Sequence, residues 1–254
     1  MEEDNIKGLG TIEIYNINKL GKIGITPEVF FNEGIKSLRE KGSLISLRDL
    51  AFSRIFSEGD AKDYLHLNGT YVRESVIFHK SYSPIFFSES ILLDSPYFLD
   101  KVVEAHSKKN EFLIEENFYK KMRERAIAEQ NKPIEEKRTF IFKEKLEYEK
   151  KDENYLIPTD KLEEKEIARW FYKDVSKEYG KLLQESGVEK MPIWFPKKEE
   201  IAKIEQPFLR QIWVCCLREH KDKRGYAIKG DSGVSANNTG LHETSRLVIL
   251  LKKE

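Results

Sequence analysis

Apolar and polar positions alternate from Thr11 to Ile17 (Thr-Ile-Glu-Ile-Tyr-Asn-Ile), which predicts a half-buried strand around Ile12, Ile14 and Tyr15. The period then lengthens to that of a helix. Thr26 is a candidate cap, Pro27 suits the first helical position, and Phe30, Ile35 and Leu38 form an apolar stripe that Gly42 ends. Ser46 repeats the logic for a second helix. Asp49 falls in its positive first turn, Leu50, Ala51, Ile55 and Phe56 face inward, and Gly59 stops it. Thr70 to Lys80 and Ile85 to Leu93 are rich in Val, Ile, Tyr and Phe and flank Ser81-Tyr82-Ser83-Pro84, so they read as two strands of one sheet.

From Ser107 to Asp152 the chain turns to Lys, Glu and Arg, with Phe112, Ile114, Phe118, Met122 and Ile127 at loose helical intervals before Pro133. This predicts a charged helical insert lying on the core over residues 107–152, ending in a strand from Thr139 to Tyr148. A third helix is predicted from Asp160, with Glu163 placed as in a capping box, through Ile167, Trp170, Phe171, Leu182 and Leu183 to Gly187. Ile193 to Pro196 and Phe208 to Leu217, the second carrying Trp213, read as core strands. Arg218 to His242 is polar and rich in Gly, Asn and Ser, so it reads as a long loop system closed by a strand from Arg246 to Leu251. The pattern is α+β, with amphipathic helices on short mixed or antiparallel sheets, in a single domain over residues 1–254.

Composition narrows the function classes. A chain of 254 residues buries about 70–75% of its unfolded surface, enough for a substantial core. With 44 Lys+Arg against 44 Asp+Glu the net charge is zero, so sequence-independent nucleic-acid binding is not expected. The 35% charged fraction, with both signs mixed, matches the ion-pair habit of thermophile proteins. Cys215 and Cys216 are adjacent, which suits no disulfide framework and points to a reducing compartment. With no apolar run near a membrane span and no basic, apolar leader at Met1, the expected location is cytoplasmic.

Gly230-Asp231-Ser232-Gly233 matches the tetrapeptide around a serine nucleophile, with His66, His79 or His106 as its only candidate bases. No histidine carries a matching motif, and a plain Gly-rich turn is the preferred reading, so no catalytic residue is assigned. Cys215, Cys216, His220, Asp222 and His242 fit no metal-ligand spacing, and neighbouring cysteines on a strand point to opposite faces. Neither a metal nor a cofactor is expected. Asn68-Gly69-Thr70 and Asn237-Asn238-Thr239 read as turns, and paired carboxylates such as Glu115-Glu116 and Glu199-Glu200 as solvated surface. The polar excursion stands out: a long loop held by a rigid scaffold forgoes core burial and is where binding residues concentrate.

Leu38 to Arg54, Gly69 to Phe78 with Ser83 to Ile85, and Phe208 to Val214 with Arg246 to Leu250 together resemble the C-type-lectin-fold proteins that include formylglycine-generating-enzyme-like domains and the variable proteins of diversity-generating retroelements. Leu38 to Arg54 resembles the segment in which a Gly-x-x-Leu-Pro-Thr-like turn leads into a helix, with Ser46 in place of the capping Thr and Ile45 in place of the Pro. Gly69 to Phe78, followed by Ser83-Pro84-Ile85, is similar to the middle of archaeal members of the variable-protein group. Phe208 to Val214 and Arg246 to Leu250 resemble the strands that open and close a variable region, here residues 213–247. Glu219, Lys221, Lys223, Lys229 and Glu243 lie outside what adenine-directed diversification of Asn codons yields, and the closing strand lacks the usual Arg-Gly pair.

The resemblance implies a non-enzymatic, receptor-like protein displaying a variable polar face to a protein or other ligand. Cys215, Cys216, Arg218, His220, Asp222, Tyr226, Asp231, Ser232, Asn237, Asn238 and His242 are its expected contact residues, with Arg218 and Tyr226 as anchors. Two other classes stay open. One is an enzyme on the formylglycine-generating scaffold, from whose spaced copper-binding thiols the adjacent cysteines depart. The other is a viral or structural assembly component that makes its contacts through Ser107 to Asp152.

Overall fold

The computed structural model describes residues 2–6, 10–90, 93, 99–101, 104–105, 108, 111–144, 147–149, 152–221, 227–228, 230–236 and 244–252. Strand β1 (Glu2–Ile6) pairs with β2 (Gly10–Ile17), and β3 (Gly21–Ile25) returns beside it. Then come β4 (Val29–Phe30), helix α1 (Phe31–Leu38), β5 (Gly42–Leu44), α2 (Leu47–Phe56) and α3 (Gly59–Leu67). A hairpin of β6 (Thr70–His79) and β7 (Tyr82–Phe87) follows. Beyond it lie β8 (Phe112–Leu113), α4 (Glu116–Ala128), β9 (Thr139–Ile141), β10 (Glu147–Glu149) and β11 (Asp152–Pro158). The remaining elements are α5 (Glu166–Tyr172), α6 (Ser176–Glu185), β12 (Lys190–Phe195), α7 (Lys198–Ala202) and β13 (Phe208–Val214). The chain closes with β14 (His220–Lys221), β15 (Ala227–Ile228), β16 (Val234–Ser235), β17 (Thr244–Ser245) and β18 (Val248–Leu251).

The mixed α+β elements assemble on two main sheets. One has the order β1-β2-β3-β18-β5, all antiparallel, so the carboxyl-terminal strand lies among the amino-terminal ones. The other has nine strands in the order β10-β11-β12-β16-β13-β6-β7-β9, with β8 also on β13. It curls until its ends face each other. Phe142, just after β9, packs 5.2 Å from Tyr155 of β11 and 5.0 Å from Phe195 of β12.

Strand β6 explains how two cores share one wall. Val72, Val76 and Phe78 pack with α2, α5 and α6 around Phe86, Phe171 and Phe195, whereas Tyr71 and Ile77 point to the other face, towards Phe31, Ile35, Leu209 and Ile249. Both faces are covered, which is why the strand reads as an apolar run.

Several predicted elements change on folding. The first helix starts at Phe31, because Thr26 Oγ1 instead accepts from Leu247 N (2.8 Å), and Val29–Phe30 pairs with β17, leaving Phe30 47% exposed. Gly42 is a strand residue packed on the Leu250 carbonyl, and Gly59, at φ +55°, opens α3, which periodicity did not predict. Ser46 does cap α2, accepting from Asp49 N at 3.0 Å, but Phe56 of that helix is exposed. The segment Thr139 to Tyr148 is two strands at opposite ends of the curled sheet, since Phe142 turns into the core between them. Asp160 makes no cap. The predicted third helix is a 3₁₀ segment followed by α5 and α6, broken where Lys173 takes a φ of +50°.

The polar excursion is corrected most. Among the described residues it holds β14, β15 and β16, and Val234 and Ala236 are fully buried. Its closing strand begins at Val248, not Arg246, and belongs to the five-stranded sheet, so Trp213 and Arg246 do not lie on paired neighbouring strands. Among the described residues no helix is long and apolar enough to cross a membrane.

Candidate functional site

Strand register builds one row of side chains across four strands of the curled sheet. Ser235 of β16 is opposite Trp194 of β12 in the parallel pairing and opposite Trp213 of β13 in the antiparallel one, and Trp213 is in turn opposite Tyr71 of β6. Alternation of side chains brings Cys215, two residues beyond Trp213, to the same side. Together with Thr244 and Ser245 of β17, these residues line an open cleft of about 320 Å³.

The aromatic floor is held from behind. Tyr71 and Trp213 meet edge to face, centroids 4.8 Å apart, and Phe31 braces Tyr71 at the same distance. Each indole also lies on a glycine. A Cβ on Gly69 would come within 2.6 Å of Trp213, and one on Gly233 would collide with Trp194. Both tryptophans remain half-buried, so each keeps a surface for a ligand. On the rim, the Ser245 hydroxyl is buried without a hydrogen-bond partner among the described residues, a polar group that an incoming acceptor or donor could satisfy.

Below the cleft, the excursion is tied to the helices by a wholly buried arginine. Arg54 of α2 donates to the carbonyls of Leu65 (2.9 Å) and Cys215 (2.8 Å), to Tyr179 Oη (2.9 Å) and to Ser232 Oγ (2.7 Å). Tyr179 and Ser232 also share a hydrogen bond. His66 Nε2 lies 2.8 Å from the Arg54 carbonyl, while the His66 carbonyl accepts from Leu217 N and Arg218 N.

This network disposes of the nucleophile reading. Ser232, at φ +52°, is inaccessible, its hydroxyl faces Arg54 and Tyr179, and its N–H is committed to the Cys216 carbonyl. No candidate base contacts it, although His106 lies outside the described residues. Burial holds the Cys215 thiol up at about 12 and also raises that of Cys216, so without a metal both rest as thiols rather than as nucleophilic thiolates. Among the described residues no three His, Cys, Asp or Glu side chains gather as metal ligands.

The expected contact residues therefore divide. Cys216, Asp231 and Ser232 are buried and serve the framework, Asp231 by accepting from Gly233 N at 2.9 Å, so for these three the expected ligand contact is corrected. Cys215 lines the cleft, Arg218 is exposed, and His220 is half-buried on β14. Asp222, Tyr226, Asn237, Asn238 and His242 lie outside the described residues. Sequence reasoning missed Tyr71, Trp194, Ser235, Thr244 and Ser245 as cleft residues. Trp194 was visible only as a core aromatic, and nothing local signals that β16 inserts between β12 and β13.

A solved structure from Nanoarchaeota, described as accommodating massive sequence variation by the C-type lectin fold, aligns with 93% of this chain and 100% of its own at a TM-score of 0.59 and 14% identity. No family model and no curated protein matches the sequence. At that identity the likeness speaks for architecture alone, and on it, together with the curled sheet and flanking helices, the chain has the C-type lectin fold.

Proposed function

We propose that this chain is a non-enzymatic binding protein whose C-terminal face, residues 213–247, holds a ligand over the cleft of Tyr71, Trp194 and Trp213. The observation that carries the reading is the pair of half-buried tryptophans, each braced on a glycine, backed by the buried Tyr71 and edged by small hydroxyl side chains. Rigid aromatic area with adaptable polar neighbours is the chemistry of a binding surface, because it loses little conformational entropy on contact. Arg218, Tyr226, Asn237 and Asn238 are proposed as the outer contacts and Cys215 as part of the floor. The likeness to a protein described as accommodating massive sequence variation supports a further step, in which the outer positions vary while Arg54, Tyr179 and Ser232 keep the framework fixed.

The test is a screen of the purified protein on arrays of glycans and cell-surface proteins, repeated with Trp213→Ala, Arg218→Ala and Tyr226→Ala. A ligand whose capture falls about tenfold or more in those variants, a loss typical of interface anchors, is the expected result. A ligand retained equally by all three overturns the placement of the site. In the genome, a near-copy of the codons for Trp213 to Leu247 that differs only at adenines, next to a reverse transcriptase, would mark active diversification.

A further inference from the structure

A second cavity lies away from the C-terminal face and shares no residue with the aromatic cleft. It occupies about 240 Å³ between the end of α1, β5, β6 and β18. One side is apolar, formed by Ile35, Leu38, Leu93 and Ile249, and the other presents Arg39 and Arg73. Both arginine Nε atoms are buried without a hydrogen-bond partner, and neither guanidinium has an ion pair among the described residues. Arg39 spends one donor on the Leu93 carbonyl at 3.0 Å, and the Arg73 backbone N–H goes to Ile45, so the strand position of Arg73 is fixed independently of its side chain.

Among the described residues no nearby acid is hydrogen-bonded to either guanidinium. Glu74 follows Arg73 in β6, but both its carboxyl oxygens face Leu47 N at 3.1 Å on the other side of the strand. Burial pushes its carboxyl up to about 8, while the neighbouring Arg73 charge acts in the opposite direction. Glu89 lines the mouth, is exposed, and pairs with neither arginine. Two half-buried guanidiniums, each with a buried Nε that has no partner among the described residues, leave donors that an anion could join, since a buried polar group needs its hydrogen bonds. Arginine also suits planar carboxylates through paired N–H donors.

We propose that this cavity binds a small amphiphilic monoanion, with its carboxylate between Arg39 and Arg73 and a short apolar tail on Ile35, Leu38, Leu93 and Ile249. The negative rim at Glu89 selects against a second charge on the ligand. The volume is below the roughly 300–1,000 Å³ of drug-sized sites, which matches a medium-chain fatty acid rather than a nucleotide.

Calorimetric titration of the full chain with octanoate, and with acetate and inorganic phosphate as comparison probes, tests it. Octanoate is expected to bind and to raise the thermal midpoint, with acetate and phosphate weaker. Arg39→Met and Arg73→Met keep the apolar stems and should each weaken octanoate about tenfold, the loss of one charge-assisted hydrogen bond, while the double variant should lose it. Arg48→Met, which removes a surface partner of Asp174, should leave it unchanged. No octanoate binding at millimolar concentration, unchanged affinity in both single variants, or phosphate held more tightly than octanoate would each overturn the proposal. None of these outcomes bears on the C-terminal face.

Discussion

Glu74 is the residue whose protonation most directly couples to folding. It is 5% exposed, closes the amino end of α2 through Leu47 N, and has its carboxyl raised by burial from the ordinary 4.5 to about 8. Between those values the folded protein holds a proton that the unfolded chain has released, so stability falls as pH rises across the window. The contribution is complete below about pH 4.5 and gone above about pH 8, a change on the order of 5 kcal/mol. Denaturant titrations at pH 5 and pH 8 should show that decline, and Glu74→Gln should flatten it; equal slopes in the two proteins would refute the assignment. Nothing around Glu74 in the sequence announces this, because its neighbours read as a strand with one charged position. Ser46 was legible as a cap for the opposite reason: its partner, Asp49 N, is three residues away.

At the level of elements, β16 is the piece that makes the cleft. Two residues long, it wedges between β12 and β13 and places Ser235 between the two indoles. Gly233, immediately before it, has Trp194 where a side chain would go. Gly233→Ala should therefore displace that indole and cost about 1–3 kcal/mol, as overpacking does, with a changed near-ultraviolet dichroism and a blunted cleft. An unaltered aromatic spectrum with unaltered stability would mean that the ring is not seated on Gly233. Long elements such as β6 and β13 were readable as extended apolar runs, since both of their faces are buried, and α2 was readable from its capping residue. Two-residue strands carry no period. Their pairing is chosen by what the sheet leaves open, so β14, β15, β16 and β17 were hidden in a stretch that looks like a loop, and β4 in the start of a predicted helix.

For the whole molecule, the closing strand decides whether the two ends of the chain hold one body. Strand β18 lies between β3 and β5, with Leu247 and Ile249 fully buried and the Val248 carbonyl accepting from Ile45 N. Truncation after Ser245 should remove that interior strand and abolish cooperative thermal unfolding, whereas ending the chain at Lys252 should change stability by no more than about 0.5 kcal/mol. Dichroism melts of the two truncated proteins distinguish these outcomes, and a cooperative transition in the shorter one would show that the five-stranded sheet stands without β18. The sequence by itself determined the α+β class, the strand β6, the capped start of α2 and the two tryptophan-bearing core segments, because each follows from a local apolar run or a contact a few residues away. The partner strand expected over Ile85 to Leu93 is instead β7 (Tyr82–Phe87), which takes in most of the expected turn. Only the tertiary structure decided which polar residues are surface and which are framework. Ser232 looks like a loop tip until Arg54, far away in the chain, holds it inside, and Arg39 and Arg73 look like ordinary surface charges until folding sets them half-buried around one cavity. Burial of a polar group depends on partners that folding brings from a distance, and no local pattern encodes that distance.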